Sequence, residues 1–137
     1  MSKSDNESSA IFLADAPEVI RKKVMRATTD TGPTEPDSPK AQAVQNLFTL
    51  LEDFSTKETY DHFNDLYNTC RIRYGDLKKQ LAEDIIKFTT PIREEILRIS
   101  SDEAYLSKVA RMGAEKARHS ASQTIKEVRE IIGFRAF

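Results

Sequence analysis

The sequence is poor in the residues that interrupt helices or cross-link chains: its 137 residues include one cysteine, four glycines and five prolines. It also contains no tryptophan. A single cysteine, Cys70, cannot form an internal disulfide, which fits a reducing compartment. No apolar run approaches the ~20 residues that a membrane-spanning helix requires. The net charge of −1 excludes a domain that binds nucleic acid through bulk positive charge. Any contact with RNA must therefore come from a local basic surface.

The remaining composition favours helix. From Ser38 onward, apolar residues recur every three or four positions, which is the spacing that places them on one face of an α-helix. No segment shows the alternation of a strand, and no internal repeat is present. The sequence therefore predicts an all-α fold, a bundle of about four or five helices. The predicted inner faces are Val44, Leu47, Phe48, Leu51 and Phe54, then Tyr60, Phe63, Leu66 and Tyr67, then Leu77, Leu81, Ile85 and Phe88.

Residues 1–37 differ from the rest of the chain. They begin with a polar stretch, carry one short apolar run at residues 11–13, and end in a loop at residues 28–37 that is rich in threonine, proline and acidic side chains. They hold too few apolar residues to fold alone. We therefore divide the chain into a largely irregular N-terminal arm, residues 1–37, and a helical domain, residues 38–137.

Two segments carry the signals of a helix start. Asp15 is a candidate N-cap, and Pro17 lies near the first helical position, so we expect a short helix from Val19 to about Ala27. Ser38 followed by Pro39 repeats this pattern and predicts the start of the next helix.

Further along the chain, Pro91 interrupts a helical pattern, which predicts either a kinked helix or two abutting helices. Asp102 is a candidate cap for the last helix, and Gly133 is a suitable stop. Small residues in the middle of its apolar stripe would let a neighbouring helix approach closely. That stripe is Leu106, Val109, Gly113, Ala117, Ala121, Ile125, Val128, Ile131 and Ile132.

Short blocks distributed over essentially the whole chain resemble the C-terminal part of the bacterial-type tryptophanyl-tRNA synthetases. Met1 to Ser4 match the last four residues of the KMSKS signature of class I aminoacyl-tRNA synthetases. The other blocks follow in the family's order and spacing. They are Ile11 to Val24 with Ala27 to Asp30, Tyr74 to Lys79 with Leu81 to Glu83, Pro91 to Glu94, and Gly113 to Arg118 with Thr124, Val128, Arg129 and Ile132 to Phe134.

The resemblance implies a complete enzyme that activates tryptophan with ATP and Mg, transfers it to tRNA(Trp), and works in the cytoplasm as a homodimer without a membrane partner. The first lysine of the signature and the nucleotide-binding domain are missing from the sequence. We therefore expect a fragment that is inactive alone and binds no ATP. By motif position, Lys3 is the catalytic residue, because its ammonium would stabilise charge on the departing pyrophosphate. Ser2, Lys3 and Ser4 are the expected ATP-binding residues.

The resemblance also makes residues 38–137 the domain that binds the tRNA anticodon. Arg71, Arg73 and Lys78 flank Tyr74, and basic side chains beside an aromatic ring suit an unpaired base and its phosphate. These four are the candidate tRNA-binding residues, although an ordinary exposed helix start would show the same pattern. Another basic cluster, Arg21, Lys22, Lys23 and Arg26, is either a phosphate contact or a solvated face.

Other features have simpler interpretations. Arg111, Lys116 and Arg118 lie opposite the apolar stripe of the last helix, where solubility explains them. His62 and His119 are far apart with no ligand pattern between them, so we expect no metal site. Cys70 is interpreted as a small buried hydrophobic residue. Two alternative functions stay open: a stand-alone helical module that binds protein, and the helical domain of a tyrosyl-tRNA synthetase.

Overall fold

The computed structural model describes residues 10–134, and this range contains five α-helices and no strand. The all-α fold predicted by the helical spacing is therefore confirmed. No helix in the range is both long and apolar enough to span a bilayer. The helices are α1 (Pro17–Arg26), α2 (Gln42–Phe54), α3 (Lys57–Asn68), α4 (Tyr74–Ser100) and α5 (Glu103–Ile131).

The chain divides into two compact units, residues 1–95 and residues 96–137. All the buried hydrophobic side chains of the described range lie in the first unit, in one core to which α1, α2, α3 and α4 each contribute. Helix α1 contributes Ile20 and Val24 to this core, so it is packed against the helices of the first unit. The core residues are Ile20, Val24, Val44, Leu47, Phe48, Leu51, Phe63, Tyr67, Leu77, Leu81, Ala82 and Ile85.

Phe48 is the aromatic centre of this core. Its side chain is fully buried, and its ring meets the edges or faces of Tyr60 and Tyr67 at centroid distances of 5.8 and 5.9 Å, both close to perpendicular. The ammonium of Lys40 lies 4.6 Å from the centroids of Phe48 and Tyr67 and donates a hydrogen bond to Asn64 Oδ1. Burial lowers the pKa of Lys40. The ammonium of Lys40 thus lies over two aromatic faces of the core, where the ring quadrupoles attract it.

The two predicted helix starts are both displaced in the structure. Helix α1 is confirmed, but its N-cap is Ala16, with no side-chain cap. The carboxylate of Asp15 instead accepts hydrogen bonds from the Phe12 N–H and from Lys23 Nζ. Helix α2 begins at Gln42, beyond Ser38 and Pro39. Asp15 and Ser38 were therefore wrongly predicted as N-caps. An N-cap is defined by its backbone φ and ψ angles, and the local sequence does not determine these angles, except for the φ of a proline.

Helix α4 is continuous through Pro91, so of the two predicted alternatives, a kinked helix or two abutting helices, the second is wrong. The hydroxyls of Thr89 and Thr90 donate to the carbonyls of Ile85 and Ile86, in the turn before the proline. Phe88, predicted to lie on the inner face, is 53% exposed and touches only the edge of the core. Its ring centroid lies 5.2 Å from that of Phe54.

In the second unit, helix α5 has the predicted ends. The Asp102 carboxylate accepts the Tyr105 N–H at 2.8 Å, so Asp102 is the N-cap. Gly133 follows the C-cap with a φ of 75°, a left-handed conformation that favours glycine. The small residues Gly113, Ala117 and Ala121 of α5 are exposed, and the close approach of a neighbouring helix to them stays a prediction. No residue of α5 is buried, and a Cβ added to Gly113 would meet no atom within 4 Å.

Candidate nucleic-acid interface

The connection between α3 and α4 positions the candidate RNA-binding side chains. Helix α3 ends in a Schellman motif, in which the Arg71 N–H bonds to the Leu66 carbonyl and the Cys70 N–H bonds to the Tyr67 carbonyl. Cys70 occupies the left-handed position with a φ of 55°, where glycine is usual. The prediction that Cys70 is buried was wrong: the thiol is exposed, because this position follows the helix and leaves its inner face.

The three residues after Cys70 alternate in burial. Ile72 packs against the core, while Arg71 and Arg73 are exposed. Neither guanidinium forms a hydrogen bond or ion pair with any other residue in the range 10–134. The carbonyl of Arg73 accepts the N–H groups of Asp76 and Leu77, so Arg73 stands at the start of α4. Two unneutralised arginines therefore project from a short segment that is fixed at both ends.

Tyr74 is committed to a contact with the N-terminal arm. Its hydroxyl donates to Asp30 Oδ1 at 2.6 Å, and the same oxygen accepts the Gly32 N–H at 2.8 Å. Burial raises the pKa of the Tyr74 phenol, and the hydrogen bond to the Asp30 carboxylate and its negative charge raise the pKa further. The ring is half-buried and packs against the core, so its phenol is held neutral beside Asp30.

Lys78 makes a second contact with the arm. Its side chain is only 8% exposed, and Nζ donates to the Ala27 carbonyl at 2.7 Å, with Thr29 Oγ1 at 3.5 Å. A buried ammonium that already has these acceptors is poorly placed to reach an RNA phosphate. The ammonium of Lys78 is therefore engaged with the arm, and its contact with RNA stays a prediction. We call the contacts that Tyr74 and Lys78 make with residues 27–30 the arm clamp.

The arm clamp predicts a specific dependence on pH. Tyr74→Phe is expected to lower the free energy of unfolding by about 1 kcal/mol near neutral pH, because it removes the hydrogen bond to Asp30. The folded state raises the pKa of the phenol, so its stabilising contribution is fully present below the unfolded value of about 10 and is lost as pH rises toward the folded value. Above that unfolded value, the wild type should lose up to about 1.4 kcal/mol per pH unit relative to the variant.

Urea unfolding of both proteins across this pH range measures the effect, with Tyr105→Phe as the control. Tyr105 is half exposed on α5, and its removal should leave the pH profile of the wild type unchanged. A difference between the wild type and Tyr74→Phe that stays constant from neutral to alkaline pH would contradict the arm clamp.

The basic cluster of α1 is partly neutralised. Arg21 forms an ion pair with Glu83 at 2.7 Å, which raises the pKa of Arg21 and lowers that of Glu83. Lys23 pairs with Asp15 at 2.6 Å and lies 4.8 Å from the Phe12 ring centroid. Only Lys22 and Arg26 of this cluster are exposed without such a partner in the described range. Two cations of the cluster, Arg21 and Lys23, therefore help to fix α1 and the residues before it.

Ser2, Lys3 and Ser4, the residues expected to bind ATP, precede the described range, so their role stays a prediction. Within residues 10–134, no group of three histidine, cysteine, aspartate or glutamate side chains is placed to hold a metal ion.

Sequence reasoning missed Asp30 and the Ala27 carbonyl as partners of Tyr74 and Lys78 in the arm clamp. A signal was present, since Asp30 lies in one of the resembling blocks, but nothing local connected it with Tyr74.

The chain is similar in sequence to ligases that charge tRNA with tryptophan. It is 61% identical over 130 residues to the tryptophan–tRNA ligase of Porphyromonas gingivalis, a match that covers 95% of this chain and 40% of that ligase. It is 38% identical over 135 residues to tryptophan–tRNA ligase 1 of Streptomyces coelicolor, covering 97% of this chain and 39% of the relative. The chain thus spans about two-fifths of the length of these curated relatives.

The fold has a solved counterpart. The structure superimposes on the crystal structure of tryptophanyl-tRNA synthetase from Campylobacter jejuni with a TM-score of 0.75, at 24% identity, over 97% of this chain and 42% of that one. A sequence model of the family described as "tRNA synthetases class I (W and Y)" matches residues 1–90, well over half of the chain. The protein therefore belongs to the class I tRNA synthetase family of the tryptophan and tyrosine enzymes.

Proposed function

We propose that this chain is the C-terminal, tRNA-binding part of a tryptophan–tRNA ligase. The 61% identity to the Porphyromonas gingivalis ligase, over 95% of the chain, is the observation that carries the proposal. The complete ligase would activate tryptophan with ATP and Mg, transfer it to tRNA(Trp), and act as a homodimer in the cytoplasm. The named relatives favour tryptophan over tyrosine as the amino acid, since the family itself includes enzymes for both.

Within this function, residues 1–37 supply the signature loop and its connection, and residues 38–137 bind the anticodon. Lys3 acts on the ATP phosphates together with Ser2 and Ser4. The geometry of the α3–α4 junction supports RNA contacts by Arg71 and Arg73, because both are exposed and free of ion pairs within the range 10–134. Planar guanidinium groups of this kind suit phosphate recognition and stacking on bases.

Tyr74 and Lys78 act differently from the two arginines. Each is tied to residues 27–30, and both lie in the first turns of α4. They hold residues 27–30 of the N-terminal arm against the segment that carries Arg71 and Arg73. The ring of Tyr74 remains a candidate stacking surface through its exposed part, whereas the ammonium of Lys78 is occupied.

A titration with RNA tests the proposal. The chain should bind tRNA(Trp) weakly, with a micromolar or poorer dissociation constant at physiological salt, because the net charge near zero gives little bulk attraction. A changed anticodon should cost roughly 1–3 kcal/mol of binding free energy. Arg71→Gln and Arg73→Gln should each weaken binding, whereas Arg26→Gln, an equally exposed arginine on α1, should not.

Two results would contradict this reading. Equal affinity for tRNA(Trp) and for the same tRNA with a changed anticodon would reject anticodon recognition by this chain. An Arg26→Gln effect as large as that of Arg71→Gln and Arg73→Gln would show that binding follows total charge and does not depend on the α3–α4 junction.

A further inference from the structure

Helix α5 carries a basic face that the proposed site does not use. At 3.6 residues per turn, five lysine and arginine side chains of α5 lie within an arc of about 80° around the helix axis. They extend over about 32 Å of the length of the helix. All five are exposed. They are Lys108, Arg111, Arg118, Lys126 and Arg129.

The charge of this face is not neutralised within the described part of the protein. Glu115 is the one carboxylate that falls between the five cations on the same side of the helix. None of the five side chains forms an ion pair or a hydrogen bond with any other residue of the range 10–134. The face therefore carries a net charge of about +4 in a chain whose total charge is −1, which is a local concentration of positive charge in a balanced protein.

The spacing of these cations suits an extended polyanion. Exposed cations distributed along one helix face can pair with several phosphates of an extended polyanion, and each neutralised phosphate releases a counterion. No phenylalanine, tryptophan or tyrosine lies among the five positions, so the face lacks a platform on which bases could stack. Its chemistry recognises the backbone of a nucleic acid and carries no means of reading sequence.

A lipid surface is the less suitable occupant. The opposite, apolar side of α5 has small residues at Gly113, Ala117 and Ala121 in its middle, and no tryptophan occurs in the chain. Helices that lie in a membrane interface usually present tryptophan, phenylalanine or leucine on that side. A second copy of the chain is disfavoured as well, because the central part of α5 would meet its own positive charge.

We propose that the basic face of α5 binds the sugar–phosphate backbone of the tRNA, independently of the anticodon. That the polyanion is a tRNA rests on the proposed function. The face would give orientation and salt-dependent affinity, while the α3–α4 junction would supply the discrimination between anticodons.

The test uses the complete chain and two double variants that each remove two exposed positive charges. Arg111→Gln with Arg118→Gln alters the basic face. Lys57→Gln with Lys116→Gln is the control, since Lys57 is on α3 and Lys116 lies on the other flank of the polar surface of α5, about 80–160° around the helix from the five cations. Affinity for tRNA(Trp), and for the same tRNA with a changed anticodon, is measured over a range of salt concentrations. Circular dichroism verifies that both variants keep their helix content.

The variant of the basic face should reduce the slope of log affinity against log salt by about 0.7–0.9 for each cation removed, and should weaken binding of both tRNAs by the same factor. The control should change neither quantity. Equal effects of the two variants, no effect of the first, or no binding of RNA by the wild type would each overturn the proposal. Binding of the wild type to phosphatidylserine vesicles that tRNA does not displace would also overturn it, in favour of a lipid surface.

The two proposals fail separately in this experiment. If the anticodon change has no effect but the basic-face variant alone loses salt dependence, then the face binds RNA and anticodon reading is wrong. If the anticodon preference is present but the basic-face variant behaves like the wild type, then anticodon reading stands and the role of α5 is overturned.

Discussion

Phe48→Ala is expected to lower the free energy of unfolding by about 3–5 kcal/mol, the range measured when a large buried aromatic side chain is removed. Phe48 is fully buried, and it makes edge contacts with Tyr60 and Tyr67. Its removal would leave a cavity in this core, and would remove one of the two rings over which Lys40 lies. Small domains are stable by only about 5–15 kcal/mol, so the variant should be close to unfolding at moderate temperature.

Phe88→Ala is the matched control, because it is the same substitution at a position that is 53% exposed. It should cost less than about 1 kcal/mol. Urea unfolding monitored by circular dichroism separates the two variants: the midpoint should fall sharply for Phe48→Ala and little for Phe88→Ala, with similar slopes. Similar losses for both phenylalanines would show that the core does not centre on α2, and would contradict the packing described for residues 10–95.

Lys3→Ala is expected to lower the rate of tryptophan activation by roughly two to three powers of ten in a complete ligase, the usual effect of losing one group that stabilises transition-state charge. The expected cause is loss of an ammonium that stabilises negative charge as pyrophosphate leaves ATP. A suitable complete enzyme is a chimera, in which this chain replaces the matching part of the Porphyromonas gingivalis ligase. The high identity of the two over 130 residues favours correct packing of the exchanged part.

Tryptophan-dependent exchange of pyrophosphate into ATP measures the activation step directly. Lys22→Ala is the control, since it removes an exposed lysine of α1 with no ion pair in the described range and should leave the rate within about twofold of the chimera, as expected for a surface substitution. An unchanged exchange rate for Lys3→Ala would remove this residue from the mechanism. A chimera that charges tRNA(Trp) normally would at the same time support the proposed function.

Much of the fold could be predicted from the sequence because its determinants are local. Helical spacing of apolar residues depends only on neighbours three or four positions away, so the existence of α2, α3, α4 and α5 follows from it, whereas α1 was predicted from Asp15 and Pro17. The same holds for Asp102 and Gly133, whose effects on the ends of α5 act within one turn. The resemblance to the class I synthetases also rests on short blocks that can be recognised without coordinates.

Helix boundaries near the arm were less predictable. Ser38 and Pro39 have the composition of a helix start, but α2 begins at Gln42. Phe88 has the spacing of an inner residue, and yet it lies half exposed, in contact with the ring of Phe54. Such outcomes depend on where the neighbouring helices end, which the periodicity of one segment does not contain.

What the sequence alone determined is therefore the helical class, most of the helix positions and the family to which the chain belongs. Only the tertiary structure decided which polar side chains are free to act. Tyr74 and Lys78 stand beside Arg71 and Arg73 in the sequence, but their hydrogen-bond partners are Asp30 and the Ala27 carbonyl, more than forty residues earlier in the chain. A residue's neighbours across such a separation are set by the packing of α1 against α4. Arg71 and Arg73 remain exposed because the residue between them, Ile72, is the one whose side chain packs against the core.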